Sequence, residues 1–120
     1  MSTQISWRVE LAVKADQLPS FQSLTGEMVA STRNESGVLS YQRFVTDDAK
    51  FVHVYECYAD SAAAVAHLQK FRREYGERFS AMVERKKFTV YGKPSDELKA
   101  LLDGFGATYL RPFGDFTYWP

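Results

Sequence analysis

Between Ile5 and Val13 the chain alternates: Ile5, Trp7, Val9, Leu11 and Val13 are separated by Ser6, Arg8, Glu10 and Ala12, with Lys14 following. A period of two puts successive side chains on opposite faces, so this segment predicts a strand with one face toward a core. The period then lengthens. Leu18, Phe21, Leu24, Met28 and Val29 share one face at helical spacing. Asp16 is expected to cap this helix, with Pro19 in the first turn, where backbone N–H groups lack helical partners. Gly37 is expected to end it as a left-handed C-terminal residue. Val38 to Thr46 and Phe51 to Tyr58, rich in β-branched and aromatic residues, then predict a hairpin turning at Asp47-Asp48-Ala49-Lys50.

Asp60 or Ser61 is expected to cap a second helical region. Its apolar face runs through Val65, Leu68, Phe71, Tyr75, Phe79, Met82 and Val83, and Gly76 marks a break within it. Phe88 and Val90, through Tyr91, predict a fourth strand stopped by Gly92 and Pro94. The basic run Arg85-Lys86-Lys87 falls at its start, as a solvated edge or turn. Ser95, followed by Asp96 and Glu97, opens a short third helix carrying Leu98, Leu101, Leu102 and Phe105. The tail, Ala107 to Pro120, holds Tyr109, Leu110, Phe113, Phe116, Tyr118 and Trp119. So much apolar surface is expected to pack, as an extended arm against a partner subunit or across the mouth of a pocket.

The order β-α-β-β-α-β predicts an α+β, ferredoxin-like antiparallel sheet with helices on one face. Residues 1–94 form that domain, and 95–120 form a C-terminal helix and aromatic tail. The helix-free face would carry Arg8 and Glu10 among apolar residues. Pairing two such faces about a two-fold axis covers them, which predicts a homodimer.

Composition narrows the function. Lys plus Arg and Asp plus Glu number 15 each, so the formal charge is zero and a nucleic-acid partner is not expected. Cys57 is the one cysteine, which excludes an internal disulfide and fits a reducing cytoplasm. With only His53 and His67 beside it, no metal site is expected. The Met1-Ser2-Thr3-Gln4 start has no export pattern, and no apolar run is long enough to span a bilayer, so a soluble cytoplasmic chain is expected. Aromatics reach 15 % of the residues, more ring surface than a small core needs, and some are expected to line a pocket or interface.

Two titratable residues stand out. His67, on the second helical region, could accept a proton from a phenol, because imidazole titrates near neutrality. Its structural reading is a ring packed at the helix–sheet boundary and bonded to a strand carboxylate. Glu56 alternates with Val52, Val54 and Tyr58 on an apolar strand face, where a carboxylate is costly unless paired. It could orient His67 or act as the base; its structural reading is an ion pair with Arg8 or Arg43. Trp7, Tyr41, Tyr58, Phe71 and Tyr75 are candidates to stack on a planar substrate, two or three of them reaching a cavity and the rest packing in the core. Cys57, on the opposite strand face from Glu56, reads as an inert buried thiol.

The segment Tyr55-Glu56-Cys57-Tyr58, followed by Asp60 and Ala66-His67-Leu68, resembles the signature of the antibiotic biosynthesis monooxygenase family. So does Glu35-Ser36-Gly37-Val38-Leu39-Ser40-Tyr41. The likeness spans roughly Ile5 to Tyr91. It implies a dimeric α/β barrel and the oxygenation, without cofactor or metal, of an electron-rich aromatic such as a quinol or anthrone. Two alternatives stay open: a dimeric module that binds a small molecule or serves a stress response without catalysis, and haem degradation. Haem-degrading relatives use a histidine late in the second helical region, and Phe71 to Met82 contains none.

Overall fold

The computed structural model describes residues 3–116. The chain forms β1 (Ile5–Val13), α1 (Leu18–Thr32), β2 (Val38–Val45), β3 (Phe51–Tyr58), α2 (Ser61–Glu74), α3 (Gly76–Met82), β4 (Val83–Tyr91), α4 (Asp96–Asp103) and β5 (Thr108–Leu110). The sheet order is β2–β3–β1–β4–β5. The first four strands are antiparallel, as a ferredoxin-like domain requires, and β5 adds a short parallel edge beside β4.

The alternation of β1 decides the layers. Ile5, Trp7, Val9 and Leu11 are buried beneath the helices, and the residues between them face the other side. Phe21, Leu24 and Met28 from α1 close over that face, with Ala64, Val65 and Leu68 from α2, Phe79 from α3, and Leu98 and Leu102 from α4. Leu98 and Leu102 are fully buried, so α4 belongs to the same core. The helix caps at Asp60 and Ser95 form as expected, each accepting from the backbone N–H three residues on. Gly76 opens α3 directly after α2, dividing the second helical region in two.

Several sequence expectations need correction. Asp16 does not cap α1; it adopts a positive φ of 63° in the turn before it, and Gln17 occupies the cap position without a side-chain bond. Gly37 does not end α1 either, because that helix stops at Thr32, five positions earlier. Val83 belongs to β4, and Arg85, Lys86 and Lys87 lie inside that strand rather than before it. Alternation fails there because the central residues of β4 are exposed. Of the tail, Tyr109 lies against the core of its own chain, and Phe113 and Phe116 are 102 % and 87 % exposed within the chain, where only a partner subunit would cover them. Tyr118 and Trp119 lie outside the described residues.

Candidate active site

Register brings three of the singled-out residues into one row. Trp7 of β1 pairs with Glu56 of β3, which pairs in turn with Tyr41 of β2, all on the helix-covered face. His67 comes down onto this row from α2 because Ala64, Val65 and Leu68 turn that face of the helix to the sheet. Its Nε2 lies 3.4 Å from Glu56 Oε1. The Tyr58 hydroxyl donates to the same Glu56 oxygen. Glu56 therefore pairs with His67 and Tyr58 rather than with an arginine; Arg8 instead meets Glu10 at 3.3 Å on the opposite face.

A second carboxylate, which the residue pattern did not single out, completes the arrangement. Glu35 Oε1 lies 3.0 Å from His67 Nδ1, and its Oε2 lies 3.7 Å from Lys70 Nζ. Glu35 reaches His67 because of the turn that follows it. Gly37 has φ +87°, and a Cβ there would stand 2.6 Å from the Cβ of Ala63. The chain can thus press against the first turn of α2, one turn before His67, only with glycine at this point. The loop before β2 then carries Glu35 over the imidazole.

The result is a chain of contacts, Lys70, Glu35, His67, Glu56 and Tyr58, of which the last three are buried. His67 is 4 % exposed and Glu56 7 %. A carboxylate thus stands at each ring nitrogen of His67, in place to accept an N–H bond. Burial, and then the Glu56 charge, hold the Tyr58 hydroxyl well above the ordinary tyrosine range, so it stays protonated and donates. Tyr41 is pushed up to about 12, first by burial and then by Glu56, with Arg43 and Thr32 opposing. The Tyr41 and Tyr58 rings flank the imidazole at 5.2 and 5.5 Å between centroids.

Beside this network lies a cavity of about 40 Å³. Trp7, Tyr41, Glu56, His67 and Phe71 all contribute to its wall. Tyr58 and Tyr75 do not: Tyr58 is fully buried behind Glu56, and Tyr75 turns toward Arg78, 5.6 Å from its ring. Three further wall residues carry no motif. Arg43 stacks on Tyr41, Arg85 lies over Phe105, and Phe105 stacks on Phe88 at 5.7 Å. A signal for Arg43 existed in its parity with Tyr41 along β2; Arg85 was hidden by a register shift between Glu10 and Leu11. Cys57 faces away, its thiol pushed up by burial.

The profile of the family described as antibiotic biosynthesis monooxygenase matches residues 5–85. No curated protein matches the sequence significantly. Among solved structures, MupZ from Pseudomonas fluorescens is similar over 98 % of this chain and 91 % of its own, with 18 % identity and a TM-score of 0.88. SnoaB, a cofactor-independent oxygenase from Streptomyces nogalater, is similar over 78 % of this chain and 96 % of its own, with 11 % identity and a TM-score of 0.67. A conserved protein from Methanosarcina mazei Go1 covers 76 % of this chain and 93 % of its own, with 17 % identity and a TM-score of 0.68. These likenesses establish the fold. The MupZ alignment extends through α4 and beyond, so that fold includes the C-terminal extension.

Proposed function

The chain belongs to the antibiotic biosynthesis monooxygenase family, and on that footing we propose that it oxygenates an electron-rich aromatic small molecule without a cofactor. The observation that carries this reading is the Glu35–His67–Glu56 chain ending at an aromatic-walled cavity. The Tyr58 and His67 contacts both fall on Glu56 Oε1, which leaves Oε2 as the oxygen available to a ligand. Glu56, with His67 behind it, takes the proton of a phenol or of an acidic ring carbon. The resulting anion passes one electron to dioxygen; the radical and superoxide combine into a peroxide. Loss of water then leaves one oxygen atom as a new carbonyl and the other in water. Dioxygen is the only oxidant this sequence needs. Trp7, Tyr41 and Phe71 hold the ring plane, and Tyr58 steadies Glu56.

Homodimerisation through the helix-free sheet face, in the cytoplasm, belongs to the same reading. Phe44, Phe51 and Leu110 stand 56, 45 and 54 % exposed, and strand parity puts all three on that face. A monomer would leave this apolar surface wet.

One observation favours a binding module without turnover: both nitrogens of His67 already face carboxylates, as in a purely structural network. Oxygen uptake with a panel of quinols and anthrones separates the two. Uptake above the uncatalysed rate, lost in Glu56→Gln, supports the oxygenase; saturable binding with no uptake supports the module. A hemin-induced Soret shift would instead support a haem-degrading relative.

A further inference from the structure

The cavity carries more positive charge than the proton relay uses. Arg43 and Arg85 both line it, and among the described residues neither forms an ion pair. Each is held over a ring instead: the Arg43 guanidinium carbon is 3.8 Å from the Tyr41 centroid, and that of Arg85 is 4.6 Å from Phe105. Stacking engages the face of a guanidinium and leaves its edge, where the N–H donors lie, free for an anion. At Arg43 two of those donors, Nε and Nη1, are shut off from solvent without a hydrogen-bond partner. Buried donors of a charged group are rarely left unmade unless a ligand completes them. Glu56 is the one carboxylate on the wall; its Oε1 meets Tyr58 and His67, and among the described residues it forms no ion pair with either arginine. Lys70 already offsets Glu35 at 3.7 Å, so the two arginines are surplus to the site's own acids.

We propose that Arg43 and Arg85 form an anion subsite, and that the substrate is a small hydroxylated aromatic acid whose carboxylate they bind while its hydroxyl faces Glu56. The inference rests on the cavity being the substrate site, as argued above. Arg43 lies two residues along β2 from Tyr41, whose register partner is Glu56, which offsets their backbone positions by about 7 Å along the strand. That offset suits one six-membered ring with a carboxylate and a hydroxyl at opposite ends. A carboxylate is favoured over a lone phenolate because its paired oxygens match the guanidinium edge. The space of about 40 Å³ is smaller than one aromatic ring needs, since a cavity of about 150 Å³ takes benzene, so the wall must open for even a single ring. Exposed Arg85 and half-buried Phe105 are the wall residues free to swing aside on entry.

The test is anaerobic binding to the full chain, read by calorimetry and by Trp7 fluorescence, with 4-hydroxybenzoate against its neutral counterpart 4-hydroxybenzyl alcohol. The acid is expected to bind about tenfold tighter or better, and added salt should weaken it and leave the alcohol unchanged. Arg43→Met should erase the preference, read as the ratio of acid to alcohol affinity within the same variant; Arg43→Gln serves if the Met variant does not fold. Equal affinity of the two probes for the unaltered protein, or a preference that survives loss of the Arg43 charge, overturns the anion subsite. Oxygen plays no part in this readout. Acid-selective binding with no oxygen uptake on any aromatic would sink the oxygenase reading and leave the subsite standing; turnover of neutral quinols without acid preference would do the reverse.

Discussion

Glu35 and His67 stand 32 positions apart in the chain, yet Glu35 Oε1 lies 3.0 Å from the imidazole Nδ1. The contact ties the loop before β2 to the middle of α2, and it fixes which edge of the ring turns toward Glu56. A histidine held from behind by one carboxylate has its second nitrogen aimed by geometry rather than by chance rotamer choice. The aim depends in turn on the glycine turn that seats the Glu35 loop against Ala63.

A graded loss of oxygen uptake follows from that order of contacts. Glu56→Gln and His67→Asn should each lower the rate by about 10²–10⁴, the usual worth of a positioned acid–base group. Glu35→Gln keeps a hydrogen-bond acceptor at Nδ1 and should cost less. An oxygen electrode with the best substrate of the panel reads all three. Rates within twofold of the unaltered protein for both Glu56→Gln and His67→Asn would remove the relay from the mechanism.

Alkaline stability should fall earlier than for a protein with exposed tyrosines. Tyr41 is raised from 10.0 to about 12 in the folded chain, and Tyr58 is raised well above 10.0. A raised folded value means that the unfolded chain gives up the proton first. The stabilisation is therefore fully present below pH 10 and lost as pH climbs from about 10 to about 12. The slope is at most ~1.4 kcal/mol per pH unit for each tyrosine. Denaturant melts across that window should show a declining midpoint. In Glu56→Gln the absorbance titration of Tyr41 should move back toward 10, because one of its two raising causes is gone.

Much of this is legible in the sequence, for reasons specific to particular residues. The alternation from Ile5 to Val13 faces one continuous helix layer, so period and burial agree from Ile5 to Leu11, and only Val13 at the strand end is partly buried. Glu56 and His67 stood out because a carboxylate and an imidazole on apolar faces need a partner, and they meet each other. Glu35 could not be found by that logic: it sits in a loop, where a carboxylate is ordinary, and only the tertiary approach of Gly37 to Ala63 makes it internal. The caps of α1 are misplaced in the sequence reading because Asp16 falls one residue before the cap position and Gly37 about a turn beyond the helix end, and capping is decided by backbone dihedrals. Arg85 looked like surface because β4 is exposed over its central residues.

Replacing Gly37 with alanine should be costly for its size. The added methyl needs a positive φ and would sit 2.6 Å from the Ala63 methyl. Strain of this kind costs about 1–3 kcal/mol, a drop in Tm on the order of 5–15 °C in a chain of this length. Because relief requires the loop to lift, Glu35 should also leave His67, which a changed imidazole NMR titration would report. A variant with unaltered Tm and titration would show that the loop is not what seats Glu35.

Phe105 closes one side of the cavity and lies beyond residues 5–85, the segment that matches the family. Phe105→Ala should enlarge the cavity and strip the Arg85 guanidinium of its ring. Affinity for a two-ring ligand should then rise about tenfold relative to a one-ring ligand, since each newly buried methylene is worth about 0.8 kcal/mol. Calorimetric comparison of benzoate- and naphthoate-type probes measures the ratio. An unchanged ratio would show that size selection lies elsewhere on the wall.

The helix-free sheet face and the tail make the last prediction. Phe44, Phe51 and Leu110 are about half exposed, and Leu110 lines a groove with Tyr55, Tyr91 and Phe116 between this face and the tail. Within one chain Phe113 is wholly exposed. Burying such a ring stabilises by roughly 1.5–3 kcal/mol, whereas ordering the backbone that carries it costs about 1–2 kcal/mol per residue. The tail therefore balances only if a second copy covers its rings, and two sheet faces meeting should bury about 1,000 Å² or more. Light scattering at micromolar concentration should report a dimer. Phe44→Glu should shift it toward monomer by setting a charge on the apolar sheet face. Removing residues 111–120 should weaken dimerisation about tenfold while leaving the monomer's fold intact, because Leu98 and Leu102 remain to close the core. A monomer at all concentrations would end the dimer reading. A full-strength dimer without those residues would confine the contact to the sheet face and leave the tail no part in it.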